Sequence, residues 1–246
     1  MDLNEIVNFM LELATDAKHI VDTHQTYKKM DKGVLDVVTD VDVLIEKHCI
    51  NKIKQKYPNI DIVSEELNSQ NQPKSNYFSI DPIDGTKNFV AKIPLFGFQM
   101  AYVENGECVA SLIDLPSIDL QIKSIKGVGA FCNGQKVVLN KNQDTKHSFW
   151  IVEGSGKKWD VAKQLENEVL AVRCFGCTSA TGAFLAKGEI CVIVCDWKTP
   201  WDILPTLGFC QHCGMSIATF KDSYVLAPTQ QLADFGIKIV EKAYKN

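Results

Sequence analysis

Two carboxylates three positions apart, Asp81 and Asp84, stand in the stretch Ile80–Phe89, which reads Ile-Asp-Pro-Ile-Asp-Gly-Thr-Lys-Asn-Phe. Carboxylate oxygens are the ligands that hard divalent cations such as Mg²⁺ prefer. Gly85 allows the backbone to turn tightly, and with Thr86 it would present free N–H groups at the start of a short helix, where phosphate binds well. A cation site beside a phosphate site favours phosphoryl chemistry.

The same stretch, taken alone, also fits an ordinary surface turn, because Asp-Pro and Asp-Gly are common turn dipeptides. Whether this stretch is a binding site or only a turn therefore has to be judged from the other patterns in the chain. Four further patterns occur along the chain: Asp36-Val-Val-Thr-Asp-Val-Asp42, Ser64-Glu-Glu66, the hairpin-like glycines of Gly127–Gly134, and Trp201-Asp202.

Together with the central stretch, these patterns resemble the inositol monophosphatase family of magnesium-dependent, lithium-sensitive sugar phosphatases. The resemblance extends from about residue 3 to about residue 228. It implies an enzyme that hydrolyses a small sugar or polyol phosphate, similar to inositol phosphate, by direct attack of a metal-activated water. It also implies two or three Mg²⁺ ions, with Mn²⁺ as a substitute and Li⁺ as an inhibitor.

The resemblance also assigns roles to individual residues. The implied metal ligands are Glu65, Asp81, the carbonyl of Ile83, Asp84 and Asp202. The implied catalytic residues are Glu65 and a pair in which Asp42 accepts a hydrogen bond from Thr86, whose hydroxyl helps to orient and deprotonate the water. A purely structural explanation exists for Asp42, because an acid in the first turn of a helix interacts well with the helix dipole. Asp202 could likewise only cap a helix.

The family's substrate contacts correspond to Asp84, Gly85, Thr86, Ser155, Gly176, Cys177, Cys195 and Asp202. Two of these positions depart from the inositol-specific pattern: Cys195 stands where those enzymes have a glutamate, and Cys177 replaces a residue that is usually threonine or serine. A thiol is a poor hydrogen-bond partner for a hydroxyl. Strict specificity for myo-inositol 1-phosphate is therefore not expected, and fructose 1,6-bisphosphate, histidinol phosphate and 3′-phosphoadenosine 5′-phosphate stay open as substrates.

Two patterns in the sequence, and one property of the resembled family, suggest other functions. Residues 154–156 form a Gly-Ser-Gly stretch that does not complete the spacing of a dinucleotide-binding loop. A zinc ribbon is suggested by two cysteine pairs and a histidine, although these fall in a predicted strand and a predicted helix: Cys191, Cys195, Cys210, His212 and Cys213. A non-catalytic role is also open, since some members of the resembled family act as partners of the transcription machinery.

Hydrophobic spacing predicts the elements that position these residues. In the first half we predict an amphipathic helix from residue 3, a mobile loop at 28–33 that bears Lys32, and a helix capped by Thr39 with Val41, Leu44, Ile45 and Cys49 inside. Strands are predicted at 60–64, 77–80, 97–103, 108–113, 120–125 and 137–139. In the second half we predict strands at 149–153, 172–175 and 190–194, and helices at 161–170, after 180 and from 201. Pro205 is tolerated only in the first turn of the last of these helices.

With the resemblance, these elements imply an α/β protein (α+β in some schemes), a layered αβαβα sandwich of the sugar-phosphatase type. We expect a mostly antiparallel sheet in the first half and a mixed sheet in the second. Residues 1–140 would carry most metal ligands, and residues 141–246 would carry Asp202 and the substrate side. The two halves are expected to pack as one unit.

Composition and charge exclude several classes of protein. The 246 residues carry a formal charge of −4, which provides no basic surface for nucleic acid or an anionic membrane. No apolar run approaches the roughly 18 residues of a membrane span, and the acids within residues 1–20 are unlike a signal peptide. Nine cysteines without a regular framework favour thiols and a cytoplasmic location. We expect a small-molecule phosphate ester as the partner, and the resemblance implies a homodimer.

Overall fold

The computed structural model describes residues 1–24, 26–33, 36–73, 75–154 and 156–245, and for residues 31–33 and 36 it describes the backbone alone. The helices are α1 (Leu3–Thr23), α2 (Asp40–Lys56), α3 (Thr86–Val90), α4 (Lys158–Leu165), α5 (Thr178–Lys187), α6 (Pro200–Cys213) and α7 (Gln230–Lys245). The strands are β1 (Lys29–Gly33), β2 (Asp36–Thr39), β3 (Asp61–Ser64), β4 (Tyr77–Asp84), β5 (Gly97–Glu104), β6 (Glu107–Leu115), β7 (Leu120–Ile125), β8 (Gly129–Cys132), β9 (Gln135–Lys136), β10 (Phe149–Val152), β11 (Ala171–Arg173), β12 (Val192–Cys195), β13 (Ser216–Phe220) and β14 (Ser223–Ala227).

Two sheets form the centre of the fold. The larger has seven strands in the order β3-β4-β5-β6-β7-β8-β9, and only its β3–β4 pair is parallel. The smaller has five strands in the order β11-β10-β12-β14-β13. In it β10 is parallel to β11 and β12, and β14 is antiparallel to β12 and β13. The first sheet is thus mostly antiparallel and the second is mixed, as the sequence predicted.

The helices lie in three layers around these sheets. α1 and α2 cover the outer face of the seven-stranded sheet, with Met10 and Phe78 fully buried between them. α5 and α6 fill the space between the sheets around Phe209. α4 and α7 cover the outer face of the five-stranded sheet around Trp150. The layer order is therefore αβαβα, and burial of these apolar faces is the main stabilising term.

Several local predictions are wrong. Residues 29–33 form β1, which pairs with β2 in an antiparallel ribbon instead of a loop. Leu44 is 39% exposed, because it falls on the outer edge of α2. No strand forms at 137–139; Val138 is 86% exposed, so this apolar run has no sheet face to cover. The helix predicted at 161–170 ends at Leu165.

Pro205 is also placed differently from the prediction. Pro200 occupies the first helical position of α6, so Pro205 lies beyond the first turn and inside the helix. Proline there removes one main-chain hydrogen bond, and the Pro205 ring is buried. All nine cysteines are free thiols, as expected. None of the helices in the described ranges is long and apolar enough to cross a membrane.

Candidate metal and phosphate site

A bulge at the end of β4 brings Asp81 and Asp84 to the same side of the sheet. Residues three apart on a regular strand point to opposite faces. Asp81 pairs with Gln99 and Asp84 with Gly97, so β4 has one residue more than β5 in this interval. Pro82 has no N–H for the ladder, which favours an interruption at this point. The extra residue changes the side-chain alternation, and both carboxylates reach one pocket.

The pocket has a volume of about 240 Å³ and collects residues from four parts of the chain. One ligand oxygen each from Asp81, Asp84 and Asp202 lie within 4.8 Å of one another. Asp202 comes from the first turn of α6 and accepts a hydrogen bond from the Thr199 hydroxyl. The complete lining is Glu65, Asp81, Ile83, Asp84, Gly85, Thr86, Lys87, Gly176 and Asp202.

Asp81 is the most buried of these carboxylates, at 1% exposure. Its Oδ2 is 3.5 Å from Gln99 Nε2, and its Oδ1 has no hydrogen-bond partner among the described residues. Burial raises the pKa of Asp81 well above its usual range, and the charges of Glu65 and Asp84 raise it further. A buried carboxylate oxygen without a partner is costly unless a cation fills the space. The all-oxygen donor set fits Mg²⁺ or Mn²⁺ rather than zinc or copper.

Asp84 is held by the start of α5. Its Oδ2 accepts hydrogen bonds from the Ser179 amide and hydroxyl, both at 2.6 Å, and from the Cys177 thiol at 2.9 Å. Cys177 is the N-cap of α5, and its sulfur accepts a hydrogen bond from Ala180 N. Burial raises the pKa of the Cys177 thiol, and the nearby Asp84 charge acts in the same direction. Cys177 therefore stays a neutral donor that fixes the Asp84 carboxylate.

Asp42 reaches the pocket through Thr86. It lies in the first turn of α2, where its Oδ2 accepts hydrogen bonds from the amide and hydroxyl of the N-cap Thr39. Its Oδ1 is 3.2 Å from the Thr86 hydroxyl, which is also 2.9 Å from the carbonyl oxygen of Ile83. The hydroxyl has one proton for these two acceptors. Burial raises the pKa of Asp42 to about 6, and the hydrogen bonds from Thr39 oppose that rise.

Gly85 joins the carboxylate strand to α3 in a conformation that favours glycine. Its φ is +79°, and a Cβ built at this position would lie 3.0 Å from both Cβ and Sγ of Cys177. A side chain at this position would push against Cys177, and Cys177 in turn contacts Asp84.

Gly85→Ala is expected to lower the free energy of unfolding by about 1–3 kcal/mol, because alanine is strained at positive φ, and to reduce phosphate-ester turnover as well. Gly106→Ala is the matched control: Gly106 has φ +80° in the β5–β6 turn, and a Cβ there meets nothing within 4 Å. Urea unfolding and turnover are measured for both variants. Equal turnover in the two variants would contradict a role of Gly85 in the pocket.

The other residues assigned to the substrate lie in different places. Gly176 lines the pocket. Cys195 is 2% exposed at the end of β12 and does not contribute to the pocket lining. Ser155 lies outside the described residues, although its neighbour Gly156 donates its amide to Asp196 Oδ2 at 2.8 Å.

The cysteine pairs that suggested a zinc ribbon serve structural roles. His212 on α6 contacts the Ser124 hydroxyl through Nδ1 at 2.7 Å and the Cys108 carbonyl through Nε2 at 3.0 Å. Both ring nitrogens are thus engaged in hydrogen bonds. Within the described residues, the only group of three or more acidic, histidine or cysteine side chains close enough to share a metal is the Asp81, Asp84 and Asp202 set.

Sequence reasoning missed several residues that support the pocket. Ser179 and Gln99 contact its carboxylates, and Lys87 lines it. Glu46 and Glu153 are buried carboxylates that bind the main chain behind it. A charged residue inside the apolar face of a helix, such as Glu46, or at the end of a strand, such as Glu153, is a weak signal of such a role in the sequence.

Comparison with known proteins points to one family. Residues 2–234 match the family model of the inositol monophosphatase family. A fructose-1,6-bisphosphatase/inositol-1-monophosphatase of Thermotoga maritima is 26% identical over 225 residues, which cover 87% of this chain and 85% of that protein. An inositol monophosphatase of Dictyostelium discoideum is 31% identical over 188 residues, which cover 70% of this chain and 68% of that protein.

Solved structures show the same fold. An inositol monophosphatase of Thermotoga maritima superposes with a TM-score of 0.90 at 23% identity, covering 98% of both chains. An inositol monophosphatase/NADP phosphatase complexed with Mg²⁺ and phosphate superposes with a TM-score of 0.87 at 20% identity, covering 97% of this chain and 96% of the other. At these identities the likeness establishes the fold alone.

Proposed function

Because the chain belongs to the inositol monophosphatase family, a family of phosphatases, we propose that it is a Mg²⁺-dependent phosphomonoesterase for a small sugar or polyol phosphate. The observation that carries the proposal is the convergence of Asp81, Asp84 and Asp202 within 4.8 Å beside the start of α3. Carboxylates so close repel one another unless cations lie between them. The neighbouring amides of Gly85 and Thr86 are suited to a phosphate group.

The proposed cation ligands are Glu65, Asp81, the Ile83 carbonyl, Asp84 and Asp202, for two or three Mg²⁺ ions, with Mn²⁺ as a substitute and Li⁺ as an inhibitor. The Mg²⁺ and phosphate in the structurally similar NADP phosphatase support this choice. Bound Mg²⁺ supplies positive charge that lowers the pKa of water and stabilises the leaving oxygen.

The protein's own part in the reaction is to orient and move a proton. Thr86 lies on the pocket wall with its hydroxyl 3.2 Å from Asp42 Oδ1. When the hydroxyl donates to Asp42, its lone pairs face the pocket and accept a hydrogen bond from the attacking water. As the water attacks, one of its protons passes to the Thr86 oxygen and the Thr86 proton passes to Asp42, whose raised pKa makes it a better proton acceptor.

The structure also bears on substrate range. The 240 Å³ pocket is polar, and Cys195 is buried away from its lining, so this position provides no hydroxyl-gripping group at the wall. The relative from Thermotoga maritima is named for both fructose-1,6-bisphosphatase and inositol-1-monophosphatase activity. We propose a range of small phosphate esters rather than one strict substrate, and a cytoplasmic homodimer as the working form.

Phosphate release from a panel of esters, including inositol 1-phosphate, fructose 1,6-bisphosphate, histidinol phosphate and 3′-phosphoadenosine 5′-phosphate, tests the proposal. Activity is expected to require Mg²⁺, to disappear with EDTA and to fall when Li⁺ is added. Mg²⁺ at about 100 times its dissociation constant should stabilise the fold by about 2.7 kcal/mol per site. The proposal is wrong if Mg²⁺ neither stabilises the protein nor supports hydrolysis of any ester.

A further inference from the structure

Two buried glutamates, Glu46 and Glu153, do not line the pocket but bind turns that contribute to its lining. They are 0% and 5% exposed. Ionisable side chains are rarely buried unless partners satisfy them. In both cases the partners are two successive main-chain amides together with nearby hydroxyl or thiol groups.

Glu46, on α2, holds the turn that follows β3. Its Oε1 accepts hydrogen bonds from the Ser64 hydroxyl at 2.6 Å and the Leu67 amide at 2.7 Å. Its Oε2 accepts one from the Glu66 amide at 2.8 Å. The turn held in this way carries Glu65, whose own amide donates to the carbonyl of Ile80 on β4. Glu46 thus fixes the backbone on both sides of a pocket carboxylate.

Glu153, at the end of β10, holds the turn that precedes α5. Its Oε1 accepts hydrogen bonds from the amides of Phe175 at 2.5 Å and Gly176 at 3.0 Å, and from the Thr181 hydroxyl at 3.2 Å. Its Oε2 accepts one from the Cys174 thiol at 3.4 Å. Gly176 is part of the pocket wall.

At Glu46 a carboxylate is required, because each of its two oxygens accepts a hydrogen bond from a main-chain N–H. At Glu153 both main-chain amides share Oε1, so a glutamine oxygen could replace that acceptor, and only truncation of the side chain removes it. Glutamine offers one oxygen and one NH₂ group. In either orientation of that amide at residue 46, the NH₂ group would face at least one main-chain N–H, of Glu66 or of Leu67. A buried donor facing another donor costs the hydrogen bond and displaces the turn.

We propose that Glu46 and Glu153 are positioning residues with separate tasks. Glu46 sets the affinity for cations by fixing the turn that carries Glu65. Glu153 sets the affinity for the phosphate ester by fixing Gly176 in the pocket wall. The inference rests on the proposed function, since it assumes that cations and ester share this pocket. Groups that hold metal ligands in place commonly change metal affinity or activity by about 10–100-fold when altered.

Glu46→Gln and Glu153→Ala are compared by calorimetric titration with Mn²⁺ alone and by steady-state kinetics at saturating Mg²⁺. We expect Glu46→Gln to weaken Mn²⁺ binding by about 10-fold, and Glu153→Ala to leave it within about twofold. Glu153→Ala should instead raise KM by about 10-fold with little change in kcat. If Glu153→Ala does not fold, Thr181→Val removes one donor to the Glu153 carboxylate and should raise KM in the same direction, while no rise overturns the proposal. Glu66→Gln is the charge control, because it removes a negative charge from the same turn and keeps its main-chain hydrogen bonds.

The outcomes distinguish a positioning role of Glu46 from the effect of its negative charge and from a loss of folding. The proposal is overturned if Glu66→Gln weakens Mn²⁺ binding as much as Glu46→Gln, or if both glutamate variants change Mn²⁺ affinity equally. If Glu46→Gln does not fold, Ser64→Ala removes one of its three partners and should shift Mn²⁺ affinity in the same direction, while no shift overturns the proposal. Failure to hydrolyse any ester would refute the proposed function, yet the Mn²⁺ titration would still decide the role of Glu46.

Discussion

Asp84→Asn and Asp202→Asn are each expected to lower kcat/KM for phosphate esters by at least about 10³-fold, which corresponds to about 4 kcal/mol of lost transition-state stabilisation. The reason differs in detail between the two. At Asp84 three donors converge on one carboxylate oxygen. An asparagine oxygen will take that place, so its NH₂ group faces the cation site. At Asp202 the substitution removes the one carboxylate that the described residues after 140 contribute to the pocket lining.

Asp114→Asn is the control for both variants. Asp114 is a half-buried carboxylate on β6 that accepts a hydrogen bond from Gln121 at 2.9 Å, and burial raises its pKa. It does not line the catalytic pocket. Phosphate release and Mn²⁺ titration are measured on all three proteins. Turnover of Asp84→Asn or Asp202→Asn within tenfold of that of Asp114→Asn would contradict the assignment of the pocket.

The sequence predicted three carboxylates that the structure brings together. Asp81 and Asp84 alone fit an ordinary turn, because Asp-Pro and Asp-Gly are common turn dipeptides, and Asp202 lies 118 positions after Asp84. The family resemblance supplied the link between them, and the structure shows them within 4.8 Å. The bulge at Pro82 could also be anticipated, because a proline interrupts a strand ladder.

The supporting contacts could not be predicted in the same way. Cys177 illustrates why: a sequence shows that a thiol replaces a hydroxyl, but not that the sulfur faces Asp84 instead of the pocket space. Glu46 and Glu153 bind main-chain amides 20 to 23 positions away, so their role depends on how separate elements pack. Residues 137–139 show the opposite error, since an apolar run has no sheet to join when the neighbouring strand ends early.

Thr86→Val is expected to lower kcat by about 10²–10⁴-fold, the usual contribution of a positioned proton-transfer group, while Mn²⁺ affinity changes by less than about threefold. Valine keeps the shape of threonine and loses the hydroxyl that lies 3.2 Å from Asp42 and 2.9 Å from the Ile83 carbonyl. Thr86→Ser is the matched control, because it keeps the hydroxyl, and it should retain most of the activity. Equal loss in the two variants would show that the site responds to any change of side chain at residue 86, which would contradict a specific role of the hydroxyl in proton transfer.

The pH dependence of Asp42 separates its catalytic role from its effect on stability, because the two have opposite signs. Burial raises the pKa of Asp42 from 3.8 to about 6. For catalysis the carboxylate must be ionised to accept the Thr86 proton, so kcat should fall as the pH drops and Asp42 becomes protonated. For folding, a raised pKa means that protonation of Asp42 stabilises the native state. This stabilisation is complete below about pH 3.8 and is lost as the pH rises through about 6.

Urea unfolding in EDTA at pH 5 and pH 7 should therefore show that the wild type gains stability relative to Asp42→Asn at the lower pH. The fall in kcat at acid pH should be weaker in Asp42→Asn than in the wild type. Parallel stability profiles for the two proteins would place the titrating group elsewhere.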